Sequence, residues 1–241
     1  MKVWAHRGAS AYAPENTMEA FKLAVEMNTD GIETDVHMTK DGVLVLMHDE
    51  KVDRTTNGTG YIKDYTYDEL YQLNANYNKE GYDFCHVPTL EELLKLAKET
   101  GALLNIEVKT DAIWYDNIEQ KILDLVKTYD LEDKVIYSSF NHYSLKKLKA
   151  LKPDAKIGLL YMEGLYKIWN YAVEFGADAL HPVYPACFLD NYVQNCHEHN
   201  IMVNSWTVNN VEHMVWFKQQ NADGIITNHP DIASKIRDGE Y

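Results

Sequence analysis

Eight short apolar runs recur along this chain, each separated from the next by a longer segment with helical patterning. No other feature narrows the possible folds as much. The runs are Val3 to Ala5, Gly31 to Val36, Leu103 to Val108, Val135 to Ser139, Lys156 to Tyr161, Ala177 to His181, Ile201 to Trp206 and Gly224 to Thr227. They are rich in β-branched residues and mostly do not alternate between apolar and polar. That pattern marks parallel strands covered on both faces. The helical segments are Glu15 to Met27, Thr89 to Thr100, Ile113 to Tyr129, Tyr143 to Leu151, Gly164 to Phe175, Leu189 to Asn200, Val211 to Gln220 and Pro230 to Arg237. Thr89 with Glu92 three residues on is a capping box, and Gly101 is a stop signal. Eight strands in strict alternation with eight helices predict an α/β fold, a (β/α)8 TIM barrel. An open doubly wound sheet is the alternative, because alternation does not establish closure.

One stretch breaks the rhythm. Val43 to Met47 reads as a further short strand, and residues 48–88, rich in Asn, Tyr, Asp and Gly, precede the next helix. Ordinary βα connections run about 2–6 residues. The expectation is one barrel domain over residues 1–241 carrying a small insertion, 48–88, after strand 2. An excursion this long at a strand end shapes an active site more often than it decorates a surface.

The chain has 241 residues and a formal net charge of −14. That field opposes nonspecific binding to nucleic acid or to an anionic membrane, though a bound cation can invert it inside one cleft. The three cysteines, Cys85, Cys187 and Cys196, are odd in number and lack C-x-x-C spacing, so reduced thiols are expected. The N-terminal apolar run is too short for a signal peptide, and no window has transmembrane length. The expectation is a cytoplasmic protein without stable membrane association; nothing in the sequence sets an oligomeric state.

Barrel active sites form at the C-terminal strand ends. Here those ends carry His6-Arg7-Gly8, Glu33-Thr34-Asp35, Glu107-Val108-Lys109 and Trp206-Thr207. Glu33 and Asp35, two apart on a strand, point to one face. Glu107 sits at a similar height on the next barrel strand. Three converging carboxylates repel one another, which a divalent cation would relieve. All-oxygen ligands favour Mg²⁺, Ca²⁺ or Mn²⁺ over Zn²⁺. The competing reading pairs these acids with Arg or Lys around the barrel; three acids together favour metal. His6 and His48 are the acid–base candidates, since imidazole titrates near neutrality. Arg7 can clamp a phosphate bidentately, and Lys109 either adds a second positive charge or pairs with an acid. There is no phosphate-binding G-x-x-x-x-G-K-[ST] loop, no G-x-G-x-x-G fingerprint and no nucleophile elbow.

Taken together, these segments resemble the glycerophosphodiester phosphodiesterase family. The matching residues are His6-Arg7-Gly8, Pro14-Glu15-Asn16-Thr17, Glu33-Thr34-Asp35-Val36, Asp41-Gly42, His48-Asp49, Arg54-Thr55-Thr56-Asn57-Gly58, Asn105 to Lys109, Ser139-Phe140, Trp206 to Asn209 and Asp223 to Asn228. They run in family order over essentially the whole chain. The resemblance implies a (β/α)8 barrel, metal ligation by Glu33, Asp35 and Glu107, and acid–base roles for His6 and His48. It also implies phosphate contacts from Arg7 and Lys109, a support role beside the metal for Glu15 and Asn16, and a pocket lined by Phe140 and Trp206. The implied reaction releases sn-glycerol 3-phosphate and an alcohol from a small glycerophosphodiester. The nucleophile is either the substrate's own 2-hydroxyl or water. Rival readings are a phospholipase of the sphingomyelinase D type, a Schiff-base aldolase using Lys109, and a noncatalytic phosphate-binding module.

Overall fold

The structure, a computed structural model, describes residues 1–189 and 191–241. Strand β1 (Lys2–His6) pairs in parallel with β2 (Gly31–Met38) on one side and with β9 (Gly224–Thr227) on the other. That double pairing closes the sheet and excludes the open doubly wound alternative. Around the barrel follow β4 (Leu103–Val108), β5 (Val135–Ser139), β6 (Lys156–Tyr161), β7 (Ala179–Pro182) and β8 (Met202–Ser205), all parallel. Strand β2 outruns β1: its last residues, Val36 to Met38, pair antiparallel with β3 (Leu44–Leu46) where β1 has already ended. The chain is thereby led away from the barrel into the long excursion.

The helices lie outside the strands and contribute their apolar stripes to one continuous core, with Phe21, Leu93, Ile122, Leu148 and Phe217 among the buried residues. Helix α3 (Leu90–Thr100) starts on the Thr89–Glu92 capping box and ends at Gly101, whose φ of 76° is left-handed. Helix α2 (Tyr67–Tyr71) lies in the excursion, whose own satellite core is Val45, Met47, Val52, Ile62, Leu70, Ala75 and Val87.

Several predicted helices start too early. Helix α1 (Met18–Glu26) begins after Thr17, whose side chain caps Ala20 N, so Glu15 and Asn16 belong to the preceding loop. Asn16 has a φ of 54°, which no helix accommodates. Helix α4 (Ile118–Thr128) follows the left-handed Asn117, and α6 (Ile168–Phe175) follows the left-handed Lys167, not Gly164. The apolar residues before each of them mimic helical spacing but lie on loops. Helix α7 spans Tyr192–Glu198 within the predicted Leu189 to Asn200, of which residue 190 lies outside the described residues. Helices α5 (His142–Leu151), α8 (Val211–Gln219) and α9 (Pro230–Asp238) depart from prediction by a residue at one end.

The lower barrel interior is filled by Trp4, which is 5% exposed and donates its indole N–H to Asn204 Oδ1 at 3.3 Å. Gly31 makes room for that ring: a Cβ there would lie 2.5 Å from it. The three cysteines are free and buried. Among the described residues, no helix is long and apolar enough to cross a membrane.

Candidate active site

Glu33 and Asp35 stand on β2 and Glu107 on β4, where Asp35 pairs directly with Glu107 and Glu33 with Asn105. Each of the three buried carboxylates offers an oxygen within 4.8 Å of the others. Asn16 Nδ2 donates to Asp35 Oδ2 at 2.8 Å, while Asn16 Oδ1 accepts from Thr34 Oγ1 at 2.8 Å. The left-handed turn that ended the α1 prediction is therefore what aims Asn16 at the acids.

His6 ends β1, and its Nδ1 lies 2.6 Å from Asn228 Oδ1, just past β9. The amide oxygen accepts, so Nδ1 carries the proton and Nε2 is the nitrogen left for chemistry. Arg7 and Gly8 are both left-handed, with φ of 55° and 80°. A Cβ on residue 8 would lie 2.6 Å from the Ala20 backbone, so the turn requires glycine. The turn lets Arg7 N donate to Glu33 Oε2 at 3.0 Å and sends Arg7 Nη1 to Glu15 Oε1 at 2.8 Å. Arg7 Nε lies 3.5 Å from Asp35 Oδ2, an ion-pair distance, but it is buried and completes no hydrogen bond.

His48 follows β3 and reaches the same pocket from the excursion. Its Nδ1 lies 2.7 Å from Asp49 Oδ1, so the carboxylate fixes the tautomer and again leaves Nε2 free. His37 Nε2 lies 3.2 Å from the His48 carbonyl oxygen and donates to it, while its Nδ1 meets the Tyr115 hydroxyl at 2.9 Å. Burial drives His37 down to about 4, so it stays neutral and its Nε2–H holds the His48 backbone carbonyl.

A pocket of about 340 Å³ is lined by His6, Arg7, Glu33, His48, Glu107, Phe140 and Trp206, together with Asn105 and Ser138. Phe140 and Trp206 meet edge to face, with centroids 5.5 Å apart, and Trp206 Nε1 donates to the His181 carbonyl at 2.8 Å. A larger hollow, about 740 Å³, opens at the other end of the barrel beside Lys2, Trp4 and Met202. No histidine or acid of the cluster reaches it, so size misidentifies the site and the convergence of titratable groups identifies it.

The acids are short of positive charge. Burial, then the neighbouring Asp35 and Glu107, push the Glu33 carboxyl well above its ordinary range. Burial likewise raises Glu107 despite the opposing Lys109 ammonium. Burial would raise Asp35 too, but Arg7, His48, Lys109 and the Asn16 hydrogen bond outweigh it and hold this carboxyl down. A cation among these three clustered carboxylates would relieve their mutual repulsion, and the all-oxygen donor set suits a hard divalent ion. The residues present therefore fit Mg²⁺, Ca²⁺ or Mn²⁺, held by Glu33, Asp35 and Glu107. Burial and the Arg7 charge push His6 down to about 4. Lys109 Nζ donates to Glu107 Oε1 at 2.8 Å, and the surrounding acids, overcoming burial, hold it protonated. An ammonium so held is unsuited to Schiff-base chemistry, which needs a free amine.

Glu15 is not among the clustered acids. It is held by Arg7 and, through two hydrogen bonds of 2.9 and 2.8 Å, by Arg54. The sequence assigns no role to Arg54, Asp49 or Asn228, although each lies in a segment that carries the family resemblance. Their signal there was polarity just beyond a strand end, which does not reveal a partner.

A family model described as the Glycerophosphoryl diester phosphodiesterase family matches residues 6–232. A glycerophosphodiester phosphodiesterase of Caldanaerobacter subterraneus subsp. tengcongensis is 44% identical over 240 residues, covering 98% of each chain. One from Bacillus altitudinis is 37% identical, with 98% of both chains covered. Among solved structures, an Oleispira antarctica phosphodiesterase in complex with the product sn-glycerol-3-phosphate superposes with a TM-score of 0.89. It is 27% identical, with 99% of this chain and 97% of that chain covered.

Proposed function

From the premise that this chain belongs to the glycerophosphodiester phosphodiesterase family, we propose that it hydrolyses small glycerophosphodiesters, such as glycerophosphocholine or glycerophosphoethanolamine, to sn-glycerol 3-phosphate and an alcohol. The observation that carries this reading is the pair of imidazoles lining one pocket. His6 and His48 line one pocket, each with Nδ1 tied back, beside three clustered carboxylates and the Arg7 guanidinium. One Nε2 accepts the proton of the attacking oxygen, either water or the substrate's own 2-hydroxyl, and the other imidazole, protonated, gives its proton to the departing alkoxide; in the second case water then opens the cyclic phosphate with the two roles exchanged. The proton count balances, and the pair is reset by exchange with water. Arg7 and Lys109 supply fixed positive charge toward the phosphoryl oxygens. Phe140 and Trp206 pack against the glycerol or the leaving alcohol. A divalent cation on Glu33, Asp35 and Glu107 would supply Lewis-acid stabilisation of the phosphoryl charge.

The test is a head-group panel assayed for glycerol 3-phosphate release, first with EDTA and then with Mg²⁺, Ca²⁺ or Mn²⁺ restored. Release that stops with chelator and returns with one of these ions is expected. No release from any member, or release indifferent to chelator, defeats the reading.

A further inference from the structure

Arg54 lies in the excursion and touches none of the three clustered acids, yet four hydrogen bonds hold its guanidinium at the site's edge. Its Nε and Nη2 donate to Asp49 Oδ2 and Oδ1 at 2.7 and 2.9 Å. Its Nη1 and Nη2 donate to Glu15 Oε2 and Oε1 at 2.9 and 2.8 Å. Asp49 in turn accepts from His48 Nδ1, and Glu15 accepts from Arg7 Nη1 at 2.8 Å. One planar cation thus joins two loops that share no secondary-structure pairing: the excursion that carries His48 and the β1–α1 loop that carries Arg7.

We propose that Arg54 is a positioning residue for the reaction, a two-sided fork that sets the tautomer and ring orientation of His48 through Asp49 and the place of the Arg7 guanidinium through Glu15. The inference rests on the proposed roles of His48 and Arg7. The physical case is geometric. A carboxylate orients an imidazole only if it is itself held, and Asp49 and its Arg54 partner are each about a third exposed, side chains that water would otherwise leave mobile. A bidentate guanidinium fixes a carboxylate's plane, which a point charge does not. Lysine at this position would keep the net charge but could not bond both oxygens of Asp49 and both of Glu15. The fork would also couple the two loops: displacing either carboxylate strains the bonds to the other. The Arg54 side chain is 35% exposed, so the pairs with Glu15 and Asp49 have little weight as stability elements and more as orientation elements.

The experiment compares wild type, Arg54→Lys, Asp49→Asn and the double variant, with His48→Ala as the reference for the underlying reading. Turnover of glycerophosphocholine, melting temperature, Mn²⁺ binding and ¹⁵N chemical shifts of the histidine ring nitrogens are recorded. Arg54→Lys is expected to lower kcat by about 10–100-fold, the usual range for a residue that orients a catalytic group. KM should stay within about threefold, with Mn²⁺ binding retained and the melting temperature nearly unchanged, as for an exposed pair. The His48 signal should move from a pure Nδ1–H tautomer to a mixture. Because both residues act through one bond set, the double variant should be no worse than the poorer single by more than about threefold. Wild-type kcat in Arg54→Lys, losses that multiply in the double variant, or an unshifted His48 tautomer would overturn the inference. Full activity in His48→Ala would overturn the reading beneath it instead. The tautomer measurement needs no turnover, so the two failures are distinguishable.

Discussion

Asp35 and Glu107 face each other across a parallel strand pair, at the same register position on β2 and β4, and both are buried. Two ionised carboxylates at neighbouring inward positions are unfavourable without a cation between or beside them. Here Arg7 and Lys109 partly offset the charge, each already hydrogen-bonded to an acid, Glu15 or Glu107.

This predicts opposite effects of neutralising the third acid in the presence and absence of metal. Burial and the neighbouring Asp35 and Glu107 disfavour the ionised Glu33 that the unfolded chain would carry at neutral pH, and Glu33→Gln removes that cost, which should raise the melting temperature of the metal-free protein by about 2–4 °C for each ~1 kcal/mol relieved. The same variant should lose the rise in melting temperature that Mg²⁺, Ca²⁺ or Mn²⁺ gives the wild type. Thermal melts with and without each ion check both halves; a variant that melts lower without metal and keeps the ion-dependent rise contradicts them.

His6→Ala and His48→Ala should each lower turnover by about 10²–10⁴-fold, the usual worth of a positioned acid or base. Both side chains lie at the barrel mouth, so circular dichroism should keep the barrel signature, while His6→Ala also loses the Asn228 hydrogen bond and should melt somewhat lower. Near-normal turnover in either variant removes that histidine from the proton-transfer pair.

Gly31→Ala should destabilise the barrel without touching the site. The added Cβ would lie 2.5 Å from the Trp4 ring and 2.9 Å from the Leu103 carbonyl oxygen. Overpacking of this kind costs about 1–3 kcal/mol. Urea denaturation reads the loss directly, and Trp4→Phe, which shrinks the ring, should recover part of it. An unchanged midpoint in Gly31→Ala contradicts the packing described.

The capping box of α3 should have a pH signature. Burial would raise the Glu92 carboxyl, but the His86 hydrogen bond and the Thr89 backbone and hydroxyl donors bring it from its ordinary 4.5 down to about 2. Its folded-state pKa is depressed, so its contribution to stability is fully present above pH 4.5 and is lost as pH falls toward 2. His86 has the opposite sign. The Glu92 hydrogen bond raises it above 6.5, so its contribution is full below that value and disappears as pH rises through the raised pKa. Denaturation midpoints measured across both windows should therefore fall less steeply in Glu92→Gln than in wild type, at the acid end and again above pH 6.5. Parallel profiles for the two proteins would remove this pair from the pH dependence.

How far the sequence reached is clearest at individual residues. The spacing of Glu33 and Asp35 placed both side chains on one face because a strand's side-chain period is two, a property of the local backbone. The Thr89–Glu92 box and Gly101 stop also lay in the local code, and α3 begins and ends where they indicated. The starts of α1, α4 and α6 were misplaced because left-handed residues at Asn16, Asn117 and Lys167 interrupt apolar periodicities that continue past them. Local spacing cannot reveal those interruptions.

By itself, then, the sequence determined the alternation of strands and helices, the inward face of each polar strand end and the chemical types gathered there. These follow from periods of two and 3.6 residues, which each segment contains within itself. Only the tertiary structure decided that β1 meets β9, which brings Asn228 to His6 across 222 positions of sequence. It also set the register of Asp35 against Glu107 and bound Arg54 to Glu15 across 39 positions. The reason is physical: closure and register are properties of strand pairs and of the whole ring, and a fork between two loops exists only once the barrel holds both of them in place.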